Sequence, residues 1–190
     1  MNAGKLMERQ WRNSAIKIPG LRYQRMNDGT ASFWKGQDGA RFQQKNPFDC
    51  YMFKKPVLFE LELKSHKGKN IPFSAIRSNQ INHLAKISKE DIGVVAGIVV
   101  YFEDEKKCYY ADGDAVLGFM NEGTRKSIPI TWFKTWGTEI KVIPLRRNVM
   151  YDVNAFVNEM LEREEQKDSE RQIQDVSGLP GQEPEMQERV

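Results

Sequence analysis

The sequence predicts an α/β domain with a mixed central β-sheet flanked by helices. Three observations carry that expectation. Residues 93–102, GVVAGIVVYF, form an almost unbroken, β-branched apolar run, the composition of a strand buried on both faces. Residues 57–64, VLFELELK, alternate, as a strand with two different faces does. Stretches of helical periodicity surround these runs, which is the ordering of an α/β domain rather than an all-β one.

Taken in order, residues 3–17 read as a helix with a loose stripe of Leu6, Met7, Trp11 and Ile16, stopped by Pro19 and Gly20. Residues 21–26 suit a short strand. Asn27, Asp28 and Gly29 then signal a turn, and residues 27–40 lack periodicity, as an exposed loop does. Two β-type runs follow, 47–53 and 57–64, joined by Lys54, Lys55 and Pro56. Residues 74–88 carry Ile76, Ile81, Leu84 and Ile87 at helical spacing, with Ser74 as the expected cap. After the apolar strand come a charged turn at 103–106, a strand at 107–111 and short helical pieces at 113–120 and 129–136. A strand at 138–145 and a helix at 152–164 capped by Asp152 close the order. The domain is expected to occupy residues 1–164. Residues 165–190 are rich in Glu, Gln, Asp, Ser, Pro and Gly and are expected to form a disordered acidic tail.

Composition narrows the function classes. The 190 residues are 39% hydrophobic and 29% charged, enough apolar material for one core and one domain. No apolar run approaches the roughly 18 residues of a membrane helix, and residues 1–13 lack a signal-peptide stretch. The chain is therefore expected to be cytoplasmic and to have no membrane partner. Cys50 and Cys108 fall in strand-like segments and read as reduced, buried small hydrophobes. With only His66 and His83, and no cysteine at ligand spacing from either, a zinc centre is excluded. The net charge of +3 conceals an asymmetry. Residues 161–190 hold nine acidic and four basic side chains, whereas the residues before 93 hold 17 Lys and Arg against 8 Asp and Glu. A basic body with a detached acidic tail is the footprint of a phosphate-backbone binder.

The chemistry concentrates on one strand. Alternation puts Val57, Phe59, Leu61 and Leu63 on one face, and Glu60, Glu62 and Lys64 on the other. Burying three charges on a strand is costly unless something compensates, so the polar face is expected to line a cleft. The tight connection at 54–56 brings Asp49 beside Glu62, because paired strands lie about 5 Å apart. Two carboxylates in that arrangement suit a hard cation such as Mg²⁺, with Mn²⁺ as a substitute. Lys64, two residues on, points the same way and can neutralise charge on a phosphate or hold the attacking water. These are the parts of a metal-dependent phosphodiester hydrolase. Glu60 reads as a supporting or solvated carboxylate. DNA contacts are expected from His66, Lys67 and Lys69 in the loop after the strand, from Arg77, and from Trp34, Lys35 and Arg41, where basic residues mix with the aromatics Phe33 and Phe42.

Asp49 followed by Glu62, Leu63 and Lys64 matches the D…ExK signature of the restriction-endonuclease-like PD-(D/E)xK nucleases. The longer stretch NPFDCYMFKKPVLFELELKSHKGKNIPFSAIRSNQINHL resembles the RecU family of Holliday junction resolvases. The likeness lies in the spacing from the aspartate to the E-x-K, the Lys/Gly/Asn-rich loop, Pro72 and Phe73, and a helix with Gln80 ahead of a His and a Leu. The opening NAGKLMERQWRNSA resembles the first helix of phage-type members. The resemblance covers roughly residues 3–160. It implies a Mg²⁺-dependent homodimer that nicks opposing strands of a four-way DNA junction symmetrically. It makes Asp49 and Glu62 metal ligands, Lys64 the group that stabilises the transition state, and Gln80 a support of the metal site. It also suggests that Glu8, on the first helix, approaches the metal. Pro47 stands where the family commonly has a threonine and supplies no hydroxyl. A nuclease of the same fold acting on duplex or other branched DNA, or a catalytically silent junction-binding protein, remains the alternative.

Overall fold

The computed structural model describes residues 3–26, 46–90 and 93–177. Its main sheet contains β1 (Arg22–Arg25), β2 (Cys50–Lys54), β3 (Val57–His66), β5 (Val94–Phe102), β6 (Lys107–Asp112) and β8 (Thr138–Ile140), in the order β1-β2-β3-β5-β6-β8. β3 and β5 run parallel, and every other neighbouring pair is antiparallel. The sheet is therefore mixed, as the sequence led us to expect. The parallel pair needs a crossover, and α2 (Ser78–Glu90) supplies it. Small sheets are formed by β4 (Asn70–Pro72) with β7 (Ser127–Pro129), and by β9 (Val142–Pro144) with β10 (Val149–Tyr151).

Each face of the sheet is covered. On one side, α1 (Ala3–Ala15) and α5 (Val153–Ser177) pack on Val57, Phe59, Leu61 and Leu63 through Met7, Trp11, Phe156 and Val157. On the other, α2, α3 (Gly113–Asn121) and α4 (Ile130–Trp136) cover Ile98, Val100 and Phe102 through Ile81, Leu84, Val116 and Phe133. β5 sits between the two layers, and its residues 95–100 are all buried, which explains its lack of polar alternation. Gly97 is required there: a Cβ would come within 2.2 Å of the Ala111 carbonyl oxygen on β6. Cys50 and Cys108 are buried, unbridged thiols. No helix among the described residues is long and apolar enough to cross a membrane.

The structure departs from the sequence reading in three places. The helix expected from residue 74 begins at Ser78. Phe73–Ala75 makes a separate 3₁₀ turn, and Ile76 is extended (φ −106°, ψ 113°), so Ser74 does not cap α2. Instead the Arg77 carbonyl accepts the first helical N–H groups, from Gln80 and Ile81. The single strand expected over 138–145 is divided. β8 joins the main sheet, whereas β9 turns back at residues 145–148 to pair with β10, which had no periodic signal at three residues. The last helix does start beside Asp152, whose Oδ1 accepts the Ala155 N–H at 3.1 Å. It runs to Ser177, past the compositional boundary at 164. Packing ends sooner: Glu164 is the last buried side chain among the described residues, and Lys167 pairs with it at 2.7 Å. Beside it, Arg163 holds Asp112 at 2.8 Å through two nitrogens, a fork that fixes the helix to the end of β6.

Candidate active site

β2 and β3 are in register with Cys50 opposite Leu61 and Met52 opposite Phe59. These partners face the α1–α5 core, so one step earlier Asp49 lies across from Glu62 on the α2 face. Regular pairing ends at that step. The Asp49 N–H donates to the Leu61 carbonyl at 3.1 Å, while its own carbonyl accepts from Met26 N–H at 2.8 Å. The side chain then takes over: Asp49 Oδ2 accepts the Leu63 N–H at 2.9 Å. A main-chain donor inside a strand needs an acceptor. The aspartate supplies it and is thereby anchored beside Glu62.

Glu62 is only 2% exposed. Its two oxygens are divided between two partners, Gln80 Nε2 at 2.7 Å and Lys64 Nζ at 2.5 Å. Burial, followed by the negative charge of Asp49, pushes the Glu62 carboxyl up to about 7; Lys64 and Arg77 pull in the opposite direction. Two like charges held close in a dry site are the physical condition that a cation relieves. Gln80 comes from the first turn of α2 and is buried. Its amide nitrogen faces Glu62, and its amide oxygen has no hydrogen-bond partner. A buried, unpaired amide oxygen beside two carboxylates is a donor set for a hard divalent ion. No group of three or more His, Cys, Asp or Glu residues suited to a metal occurs among the described residues. The oxygens that meet here come from two carboxylates and one amide.

A histidine to which the sequence reading gave no role joins these elements. His83 lies one helical turn after Gln80, and its Nε2 is 2.8 Å from Glu60 Oε2. Its ring lies against Phe48, with centroids 5.6 Å apart. Phe48 precedes Asp49, and Glu60 lies two residues before Glu62 on the same face of β3. His83 thus contacts the loop that carries Asp49, the strand that carries Glu62 and, through its own helix, Gln80. The signal was present in the sequence as an i, i+3 pair on one helix face, but nothing in the spacing revealed the Glu60 partner.

The remaining candidates are distributed differently. Arg77 is exposed at the start of α2, close enough for its charge to act on Glu62. His66 ends β3 opposite Phe102, and Lys67 is exposed. Lys69 reaches Glu105 at 3.4 Å, and the Gly68 N–H donates to Asp104 at 2.8 Å. The loop after β3 therefore rests against an acidic turn, and its basic character is partly offset. Glu8 accepts from Arg25 Nε at 2.7 Å. Arg25 pairs with Cys50, next to Asp49, so Glu8 approaches the start of β2 while held by an arginine. Trp34, Lys35 and Arg41, with Phe33 and Phe42, lie outside the described residues.

Known proteins resemble this chain in both sequence and structure. The family profile RecU, Recombination protein U, matches residues 21–157. The SPbeta prophage-derived uncharacterized protein YotM of Bacillus subtilis is 30% identical over 182 residues, which is 88% of this chain and 91% of that protein. The Holliday junction resolvase RecU of Ureaplasma parvum is 25% identical over 103 residues, 54% of this chain and 59% of that protein. Among solved structures, Archaeoglobus fulgidus Hjc, a Holliday junction resolvase from an archaeal hyperthermophile, superposes with a TM-score of 0.43 at 15% identity. That match covers 70% of this chain and 94% of the other.

Proposed function

We propose, from the premise that this chain belongs to the RecU family, that it is a Mg²⁺-dependent endonuclease that cuts four-way DNA junctions. Two copies would act together, each nicking one of two opposing strands. The observation that carries the reading is the apposition of Asp49 and Glu62 beside Lys64, with the unpaired Gln80 oxygen completing an oxygen-rich cluster. The name of the Ureaplasma relative supports the choice of substrate.

Asp49 and Glu62 would hold the ion, with Gln80 as a third donor. When bound, Mg²⁺ supplies Lewis acidity at the scissile phosphate and lowers the pKa of water. The chain's own groups do the rest. The Leu63 N–H orients Asp49. Gln80 fixes one Glu62 oxygen through its amide N–H. Lys64 lies beside Glu62; on substrate binding its ammonium is placed to neutralise charge that grows on the phosphate oxygens. His83 and Glu60 brace α2 against β3 so that these groups keep their spacing.

The deciding experiment incubates the protein with a synthetic four-way junction and with matched linear duplex, in Mg²⁺ and in EDTA. Paired symmetric nicks in the junction, dependent on Mg²⁺, are expected. Equal cutting of the linear duplex would remove the junction specificity. Tight binding without any cutting would instead mark a binding protein.

A further inference from the structure

α1 and the β9–β10 hairpin enclose a groove that the active site does not use. Two cavities, of about 480 and 320 Å³, adjoin along Gln10, Leu145, Asn148 and Val149. Among the described residues their walls carry five cations: Arg9 from α1, Lys17 just after it, Lys106 from the β5–β6 turn, and Arg146 and Arg147 from the hairpin tip. All five are exposed. Among the described residues, Glu103 is the single carboxylate lining either cavity, and it already accepts from the Ser65 hydroxyl at 2.8 Å. Among the described residues, none of the five cations lies within ion-pair distance of a carboxylate. Elsewhere on the surface, Lys69, Lys86 and Lys107 each have such a partner.

The groove is also held in shape. The Tyr151 N–H donates to the Ser14 hydroxyl at 3.2 Å, and the Trp11 and Tyr151 rings meet at 5.7 Å. The tip is closed by Leu145 N–H donating to the Asn148 carbonyl at 2.8 Å. Like charges gathered on a fixed frame repel one another, and a polyanion relieves that repulsion. Paired guanidinium groups favour phosphate in particular, through bidentate hydrogen bonds. The groove also begins where the active site ends. Ser65 lines it, and Lys64 precedes Ser65 on the opposite face of β3. A nucleic-acid backbone passing over the C-terminal end of β3 would meet both.

We propose that this groove holds the phosphate backbone of a duplex arm flanking the cleavage site, with Arg146 and Arg147 as its principal contacts. The choice of DNA among polyanions rests on the nuclease reading above. The test measures binding of the full chain to a labelled duplex and to a four-way junction by fluorescence anisotropy in EDTA, where no cutting occurs. Arg146→Glu with Arg147→Glu should weaken binding by roughly tenfold or more. It should also flatten the log–log salt dependence by about 1.8, because each lost phosphate contact removes about 0.9. Arg9→Glu with Lys17→Glu, from the opposite wall, should weaken binding in the same direction. Lys86→Glu with Lys134→Glu makes the same charge change on α2 and α4 and should leave affinity within about twofold. Wild-type affinity and salt slope in the Arg146/Arg147 variant would overturn the proposal, as would an equal loss in the Lys86/Lys134 control. Wild-type protein that binds neither DNA would overturn it together with the nuclease reading. Binding through the groove without cutting in Mg²⁺ would support the groove and overturn the nuclease reading alone.

Discussion

The two faces of β3 are made by one run of alternating residues, yet they are stabilised in opposite ways. Towards α1 and α5, Val57, Phe59, Leu61 and Leu63 are at most 4% exposed and belong to the apolar core. Their burial favours folding at roughly 25 cal/mol per Å² of apolar area. Towards α2, Glu60, Glu62 and Lys64 stand on the same backbone among His83, Gln80 and Asp49. Here burial opposes the charged state, as the raised Glu62 carboxyl shows. One face therefore holds the strand in place, and the other uses that fixed position to keep ionisable groups where they would not otherwise remain. The contrast separates mutations that cost stability from mutations that cost chemistry.

The strongest expected separation is at Asp49. Asp49→Asn keeps the size of the side chain and an oxygen for the Leu63 N–H but removes the charge. Single-turnover cleavage should fall by roughly 10³-fold or more, with junction binding in EDTA unchanged. Normal cutting by this variant would eliminate the metal site described above. On the other face, Phe59→Ala should lower unfolding free energy by about 3–5 kcal/mol, read as a shift in urea midpoint. The protein that remains folded should still cut. Lys64→Ala should reduce cleavage by about 10²–10³-fold with little loss of stability. A comparable loss of stability would mean that Lys64 serves the fold rather than the phosphate.

The smallest expected effect is a pH dependence. The Glu62 carboxyl is held at about 7 in the folded chain, against its ordinary 4.5. Between these values the folded state keeps a proton that the unfolded state has released. Its contribution to stability is complete below about pH 4.5 and is lost as pH rises through about 7. In EDTA, the melting temperature should therefore drop by a few degrees more between pH 5 and pH 8 in the native chain than in Glu62→Gln, since ~1 kcal/mol moves a domain of this size by roughly 2–4 °C. Mg²⁺ at pH 8 should recover the loss in the native chain and not in Asp49→Asn. Identical pH profiles for the native chain and Glu62→Gln would show that Glu62 is not strained by burial.

Much of this was legible before any coordinates. The apolar run at 93–102 could only be a central strand, and β5 is one. The alternation at 57–64 assigned each residue of β3 to its face, and the short link at 54–56 implied the antiparallel register that brings Asp49 to Glu62. These are local properties, because strand period and turn length are set by the backbone itself. Gln80 was reached only through family resemblance; in the structure its amide nitrogen meets Glu62 across eighteen residues of chain.

What the sequence determined by itself was therefore the strands, their faces and the identity of the charged groups on β3. What only the tertiary structure decided was which distant groups those charges meet. His83 could have been an ordinary helix-surface residue until α2 brought it against Glu60. Lys69 acquired an acidic neighbour only when the turn at 103–105 placed Glu105 beside it. Arg146 and Arg147 carried no motif, and became the rim of a cationic groove only when β9 and β10 folded back against α1. The physical reason is common to all three. Periodicity encodes which side of an element is buried, whereas electrostatic partnership depends on distances between elements far apart in the chain, which packing alone sets.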